Sequence, residues 1–551
     1  MNTSSSSPGV FSSVTAKPTL SDIRGFFRNT VTPSNRPIIS QFLLDTETEL
    51  KECRAEINRL KTSIYLLENK KSNLEDRLKQ CRSLLSPIHR LPTETLADIF
   101  VYACEGNKLT PSSSLAVILL STICGRWRNV VLTTPRLWSF LEIDLGTWKE
   151  KADHLVSSIT LFMERSKACP LDITCAFPAD ESGTNEWIAS VFDAMSRSCA
   201  RWRSVSFSLP AHITLPNHLF LNLRGQDFPL LQYLQIRQKS ESKADGPVTN
   251  PDIFSGVFDV ATSLRTLDVE TSFMSDIRLP HHQITRLTIF RQWSAKCLAF
   301  LRLFQQLQEL RLHHIVVNAE GPEHLVSNTI ETLWLSLQSQ SDHDTLMMHM
   351  TLPGLTSLTF SSREAFRKDV IQHWPVWEAA TTMDFLSRSG CSLTAICLKS
   401  LPITDEQTIA LLQTMPQLTS LQIEELEFPG SATTDPPHNM NRIVTDRFLQ
   451  RLVVRQEGYK LEPPGTLLLP LLANFTVKLH AQNLPEQSLL ATVSSRWIPD
   501  PTRARDIGVE CLRSANVIVM GGEDSETTLE SLRCFGYAGL RLTIDCIKAS
   551  S

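Results

Sequence analysis

The densest group of candidate metal ligands in the 551-residue chain is Asp342, His343, Asp344 and His349. Imidazole nitrogens and carboxylate oxygens bind zinc and similar ions, but such sites place their ligands at a few recurrent spacings, and this run matches none of them. It reads as an ordinary solvated loop. His281-His282 and His313-His314 each follow an apolar stretch and read as turn residues. Cys124 lies beside Arg126 and Arg128, whose charge would favour a thiolate. Arg126, Arg128 and Arg136 around Trp127 could also hold phosphates while the ring stacks on a base. Trp127, however, falls on an apolar helix face by its spacing, and a ring spent on a core is not offered to bases. G-x-S-x-G, G-x-x-x-x-G-K-[ST] and H-E-x-x-H are absent. The residues therefore nominate no catalytic group, metal or cofactor, and the expectation is a non-enzyme that binds no nucleic acid.

Bulk properties agree with this. The formal charge is −4 and the pI about 6.4, which gives no electrostatic reason to track nucleic acid or an anionic membrane. No run approaches 18 apolar residues and Met1 to Pro33 has no apolar core, so neither a membrane span nor a secretory signal is expected. The 13 cysteines are odd in number and contain no C-x-x-C pair, which suits reduced, mostly buried thiols. A cytoplasmic or nuclear protein with protein partners is the expectation. At this length a single core is outgrown, so several domains or a repeat array must follow.

The segment that positions Cys124 and Trp127 runs from Ile88 to Trp138. Pro92 and Glu94 suit a helix start, and Leu96, Ile99, Phe100 and Ala103 make one stripe. After a Gly, Pro and Ser punctuated gap, Ser112 to Ser114 offer caps to a second helix, with Ala116, Leu120, Ile123, Trp127 and Val130 on its apolar face. About 50 residues make too small a core to be comfortable alone, so part of this surface should await a partner.

Three motifs in this stretch, Leu91-Pro92-x-Glu94-x-Leu96-x-x-Ile99-Phe100, Ile123-Cys124-x-Arg126-Trp127-Arg128 and Pro135-x-Leu137-Trp138, resemble the F-box, in its F-box-like form. Leu115-Ala116-Val117 and Gly125 depart from the family at the start of the second helix and after the cysteine. The resemblance implies docking on a Skp1-like adaptor, and through it on a cullin, within an SCF-type ubiquitin ligase. It implies adaptor contacts at Leu91, Pro92, Leu96, Ile99, Phe100, Ile123, Cys124 and Trp127.

Before this segment, Leu43, Leu50, Ile57, Ile64, Leu78 and Leu85 recur every seven residues, broken by Lys71, with Cys53, Leu60, Leu67, Leu74 and Cys81 three positions on. One continuous helix is predicted over Leu43 to Leu85. Its seam suits equally a homodimer through 43–85 and packing onto its own chain. Residues 1–40, rich in Ser, Thr and Pro, read as a disordered tail.

Beyond Trp138 the template L-x-x-L-x-L recurs. It appears as Leu231-Leu234-Ile236, Leu264-Leu267-Val269, Ile284-Leu287-Ile289, Leu307-Leu310-Leu312, Ile330-Leu333-Leu335, Leu355-Leu358-Phe360, Leu393-Ile396-Leu398 and Leu418-Leu421-Ile423. Most starts lie 20 to 25 residues apart. Each L-x-L puts two side chains on one strand face, and crossovers of this length predict parallel pairing. Trp202-Val205-Phe207 is a weaker copy, and Asp405 is the cap candidate of a helix with Ile409, Leu412 and Met415 inward. The region resembles leucine-rich repeats, and with the F-box-like segment the chain is similar to F-box proteins of the kind expanded in basidiomycete fungi.

The expected fold class is α/β: an N-terminal heptad helix and a small all-α F-box-like domain followed by a leucine-rich-repeat solenoid. The expected domains are 1–40 tail, 41–86 coiled-coil-like helix, 87–138 F-box-like domain and 139–551 repeat array with irregular C-terminal capping repeats. The resemblance implies a non-catalytic substrate receptor whose repeats recruit a protein that the sequence does not name, through residues it leaves unknown. A non-ligase scaffold with a dimerising coil is the alternative.

Overall fold

The computed structural model describes residues 21, 24–25, 27–28, 31–104, 107–111, 115–148, 151–178, 186–210, 220–239, 254–270, 277–293, 295–317, 324–362, 374, 377–425, 442–454, 467–481, 484–521 and 529–547. They form a mixed α/β protein with one large parallel sheet and, among the described residues, 14 α-helices. The chain divides into two compact units, one ending at Leu96 and one beginning at Ala97. No helix among the described residues is long and apolar enough to cross a membrane.

The first unit is dominated by a 49-residue helix, Arg36–Leu84. Pro37 sits in its first turn, where no intrahelical donor is required, and Pro87 follows its end. The helix begins inside the segment expected to be a disordered tail, because Pro37 and the following Ile-Ile-Ser-Gln-Phe run favour helix as well as Leu43 onward does. Residues 1–20 of that tail lie outside the described residues. None of the helix residues is buried. A short 3-10 turn, Pro87–Arg90, leads into the helix Thr93–Ala103, whose Leu96 N–H donates to the Pro92 carbonyl at 3.0 Å.

The second unit holds a 15-stranded sheet in which strand order follows chain order and every pair is parallel. All eight L-x-x-L-x-L copies lie on successive strands. Leu234, Leu267, Leu287, Leu310, Leu333, Leu358, Ile396 and Leu421 occupy one register across them, and none is more than 2 % exposed. The pairing has a simple cause. Each repeat returns the chain to the same edge, and the two inward side chains bury only when they stack on those of the strand before.

Six strands of the large sheet lie outside the copies read from the template. Phe140–Asp144 and Asn474–His480 carry its spacing as Trp138-Leu141-Ile143 and Leu472-Phe475-Val477, with aromatic residues in leucine positions. Lys108–Leu109 pairs with Glu142 and Ile143. The stretch 87–138 is therefore not all-α: it contributes the first strand of the sheet, held by Asn107 Nδ2 donating to the Leu137 carbonyl at 3.0 Å and Trp148 Nε1 to the Leu109 carbonyl at 2.9 Å. Farther on, the helix Asp405–Gln413 is capped by Thr404 rather than Asp405, in a reciprocal pair with Gln407. That shift turns Leu411 inward and leaves Ile409 half-buried.

A recurrent arginine ties one helix end to the next repeat. Arg201 donates to the Met163 carbonyl at 3.1 Å and the Cys169 carbonyl at 3.3 Å, past the end of Ala152–Arg165. Arg388 reaches Met347 and Met350 at the end of Gln340–Met348. Arg496, fully buried, reaches Leu452 at 2.6 Å, Leu469 at 2.8 Å and Leu468 at 2.6 Å. In each case the cation meets the negative end of a helix dipole and carbonyls that have no intrahelical donor. Burial lowers the Arg496 pKa to about 10, which leaves it charged at neutral pH.

Replacing Arg496 by Leu leaves the buried Leu452 and Leu468 carbonyls without a donor, while the Leu469 carbonyl keeps the Leu472 N–H at 3.3 Å. At about 1–3 kcal/mol for each unsatisfied group, partly relieved by water, the loss should be roughly 3 kcal/mol. The measurement is the midpoint of chemical denaturation, and an unchanged midpoint would show that the carbonyls find other donors.

Candidate protein-docking site

The residues nominated for adaptor contact separate into two groups. Leu96 and Phe100 are buried, at 0 % and 1 % exposure, one turn apart on Thr93–Ala103. The Phe100 ring lies 4.8 Å from that of Trp127 at 59°, a tilted aromatic pair that forms core. Trp127 is half-buried, and its Nε1 is buried without a partner among the described residues. Ile99 and Ile123 are instead 43 % and 54 % exposed. In the first unit Leu91 is half-buried and Pro92 exposed.

The expected second helix is two helices, Ala116–Ile123 and Gly125–Thr133, divided at Cys124. Cys124 is extended, at φ −158° and ψ 166°, and its Sγ accepts the Trp127 N–H at 3.5 Å. Gly125 weakens helix continuity, and the thiol then serves as the N-cap that a serine would ordinarily supply. A sulfur in this role is a structural acceptor. The residue ahead of the first of these helices, Leu115, makes no side-chain cap bond, and Ser112 to Ser114 lie outside the described residues. The break at Cys124 is also why Ile123 faces water instead of continuing the stripe of Trp127 and Val130.

Three further apolar residues are exposed on the same elements: Tyr102 at 77 %, Ile118 at 37 % and Leu119 at 53 %. Ile99 and Tyr102 are three apart on one helix, Leu119 and Ile123 four apart on another, so each helix carries a short outward apolar stripe. These three were not nominated from the sequence. The available signal was composition: AVILLSTI has six apolar residues in eight, more than a one-sided helix needs.

A second surface lies on the sheet face opposite the leucine ladder. The Arg237 guanidinium sits 4.0 Å above the Phe290 ring. Phe290 stacks on His313 at 5.1 Å, and His313 on Trp334 at 3.9 Å. Tyr233 donates to Asp268 at 2.7 Å beside this row, and burial together with the Asp268 charge pushes its phenol pKa up. His313 is thus a strand residue within Glu309–Val317 rather than the turn residue expected. His281 does open a 3-10 turn, Pro280 being its cap, but its ring packs edge-on against Phe300 and Phe304.

The histidine and aspartate run resolves into a buried network on the helix Gln340–Met348, not a solvated loop. His343 Nδ1 lies 2.8 Å from Asp344 Oδ1, and His343 Nε2 lies 2.8 Å from Thr382 Oγ1. The order carboxylate, imidazole, hydroxyl has the connectivity of a nucleophile relay. Thr382 and His343 are both 0 % exposed, however, and a hydroxyl that no substrate carbonyl can approach is a satisfied core group. His349 instead points its Nδ1 at the Thr345 carbonyl, at 2.7 Å. Among the described residues no three His, Cys, Asp or Glu side chains gather as a metal site.

No protein-family model matches the chain, and no curated protein matches it.

The Asp344 network sets a pH dependence. Burial pushes its carboxyl up, but hydrogen bonds from His343, Thr381 and Gln340 and the His343 charge outweigh burial, so its pKa lies below the usual carboxylate value. A depressed folded pKa stabilises the fold above the unfolded pKa of about 3.9 and loses that contribution as pH falls toward the folded one. Wild type should therefore exceed Asp344→Asn in thermal stability at neutral pH, with the gap closing on acidification below about pH 4. A gap that widens in acid would contradict the assignment.

Proposed function

We propose that the chain is the substrate-receptor subunit of an SCF-type cullin–RING ubiquitin ligase. The F-box-like helices dock on a Skp1-like adaptor, and the leucine-rich repeats, as a solenoid, hold a protein substrate. The observation that carries this reading is the outward apolar surface of Ile99, Tyr102, Ile118, Leu119 and Ile123, on the helices whose motifs resemble the F-box. Exposed aliphatic side chains with an aromatic among them are what a protein interface requires and what water disfavours. The single-file parallel sheet supports the repeat part of the reading.

The chain contributes no chemistry to ubiquitin transfer in this scheme. It raises the effective concentration of substrate lysines near a charged conjugating enzyme, which is catalysis by proximity. The row Arg237, Phe290, His313 and Trp334 is the surface we assign to the substrate, since aromatic and arginine side chains dominate interface energetics. The scaffold reading is favoured by one separate feature, the uncovered heptad seam, and gains if adaptor binding fails.

Ile99→Asp with Leu119→Asp should abolish co-purification of a Skp1-like adaptor while lowering thermal stability only modestly, since the two side chains are 43 % and 53 % exposed. Loss of central interface anchors typically costs about 2–4 kcal/mol, or roughly 30- to 1000-fold in affinity. Trp127→Ala is a poor test because it also removes the ring from Phe100. Absence of association between the folded wild-type chain and adaptor at micromolar concentration would overturn the ligase reading.

A further inference from the structure

The long helix of the first unit leaves its apolar seam open. Leu50, Ile57, Ile64 and Leu78 at the first heptad position are each 49 to 55 % exposed, and Leu60 and Leu74 at the fourth are 51 % and 53 % exposed. Ion pairs within the helix, Arg59–Glu56, Lys71–Glu75 and Lys79–Asp76, are all solvent-exposed and add little. A single amphipathic helix of this length with no buried residue is stable only when a second surface covers its stripe.

We infer that the cover is a second copy of the same helix, aligned parallel and in register, so that the protein is a coiled-coil dimer. Two observations select this arrangement and a third is compatible with it. β-Branched Ile57 and Ile64 at the first position, with Leu60 and Leu67 at the fourth, are the combination that favours two parallel strands. Lys71 at one first position disfavours larger bundles, where its charge would be more deeply enclosed.

The third observation is charge. In a parallel dimer the seventh position of one heptad faces the fifth position of the next on the partner helix. That pairs Glu49 with Arg54, Glu56 with Lys61 and Lys70 with Glu75, each twice by symmetry. Arg77 facing Arg82 is like-charged, and so is Lys71 facing Lys71 across the core. A fully overlapping antiparallel dimer also makes three kinds of opposite pair, but it sets Glu47 against Glu75 and Lys61 against its own copy. It does relieve Lys71, which would face Cys53 rather than a second Lys71. Like-charged contacts are equal in number in the two forms, so the parallel form is selected by the apolar geometry at Ile57, Leu60, Ile64 and Leu67. It also sets Cys53 opposite Cys53 and Cys81 opposite Cys81, both at fourth positions and both exposed in the single chain.

The dimer is independent of adaptor docking, and its test uses the full chain. Light scattering at micromolar concentration should give twice the 62.0 kDa of one chain, and a monomer mass would overturn the inference. Copper–phenanthroline oxidation should link wild type into a dimer on a non-reducing gel, through either cysteine. The band should vanish in the Cys53→Ser, Cys81→Ser double variant. A dimer whose linking ignores these two positions would overturn the orientation. Arg77→Glu gives an independent readout on a solvent-facing site that does not threaten helix formation. In the parallel form it converts the Arg77–Arg82 contacts into opposite pairs and should tighten the dimer about tenfold at low salt. In the antiparallel form Arg77 faces Glu49, and the same change would weaken it.

Discussion

Each strand of the large sheet bonds only to the strand before it and the strand after it in the chain. That constraint governs the rest of the second unit. A repeat of 20 to 25 residues cannot bury its two inward leucines alone, so every repeat borrows its core from both neighbours. The strand that opens the series comes from between the helices Thr93–Ala103 and Ala116–Ile123, through Lys108–Leu109. The small helical segment and the sheet therefore share hydrogen bonds as well as sequence, and a boundary drawn at Trp138 cuts across them.

The arginines solve the complementary problem on the helical side. A helix that ends against the next repeat presents carbonyls where water is scarce. Arg201, Arg388 and Arg496 supply donors in a fork that can meet two or three carbonyls at once. No template of leucines predicts them, because their partners are backbone atoms and leave no mark on side-chain periodicity.

Legibility followed the same division. The ladder from Leu234 to Leu421 was readable because two-residue alternation and a fixed three-residue offset both come from backbone geometry. Phe475 and Leu141 obey that geometry, but aromatic neighbours at Phe475 and Trp138 hid it from a leucine template. Within the candidate site the motif residues fall on the helices Thr93–Ala103, Ala116–Ile123 and Gly125–Thr133 and at their ends, and they mix two kinds of residue. Leu96 and Phe100 are buried, whereas Tyr102 and Leu119 face outward. Apolar identity alone cannot separate these, since the deciding fact is the direction each side chain takes after the break at Cys124. The His343 network misled for the opposite reason: polar residues close in sequence suggest a wet loop unless a distant Thr382 is known to complete them.

The two ends of the sheet differ in a way that bears on self-association. At its start the outermost strand is only two residues long and offers little to an incoming chain. At its finish Arg541–Ile547 runs seven residues, paired on one side with Ser514–Met520 and with no strand on the other among the described residues. Its outer row of amide and carbonyl groups is a template for further strands. Arg541 and Asp545 break that row with charge, so that an added strand would have to desolvate ions to align. Among the described residues this edge of the sheet is thus guarded by charge, and high salt, which screens those charges, favours association there.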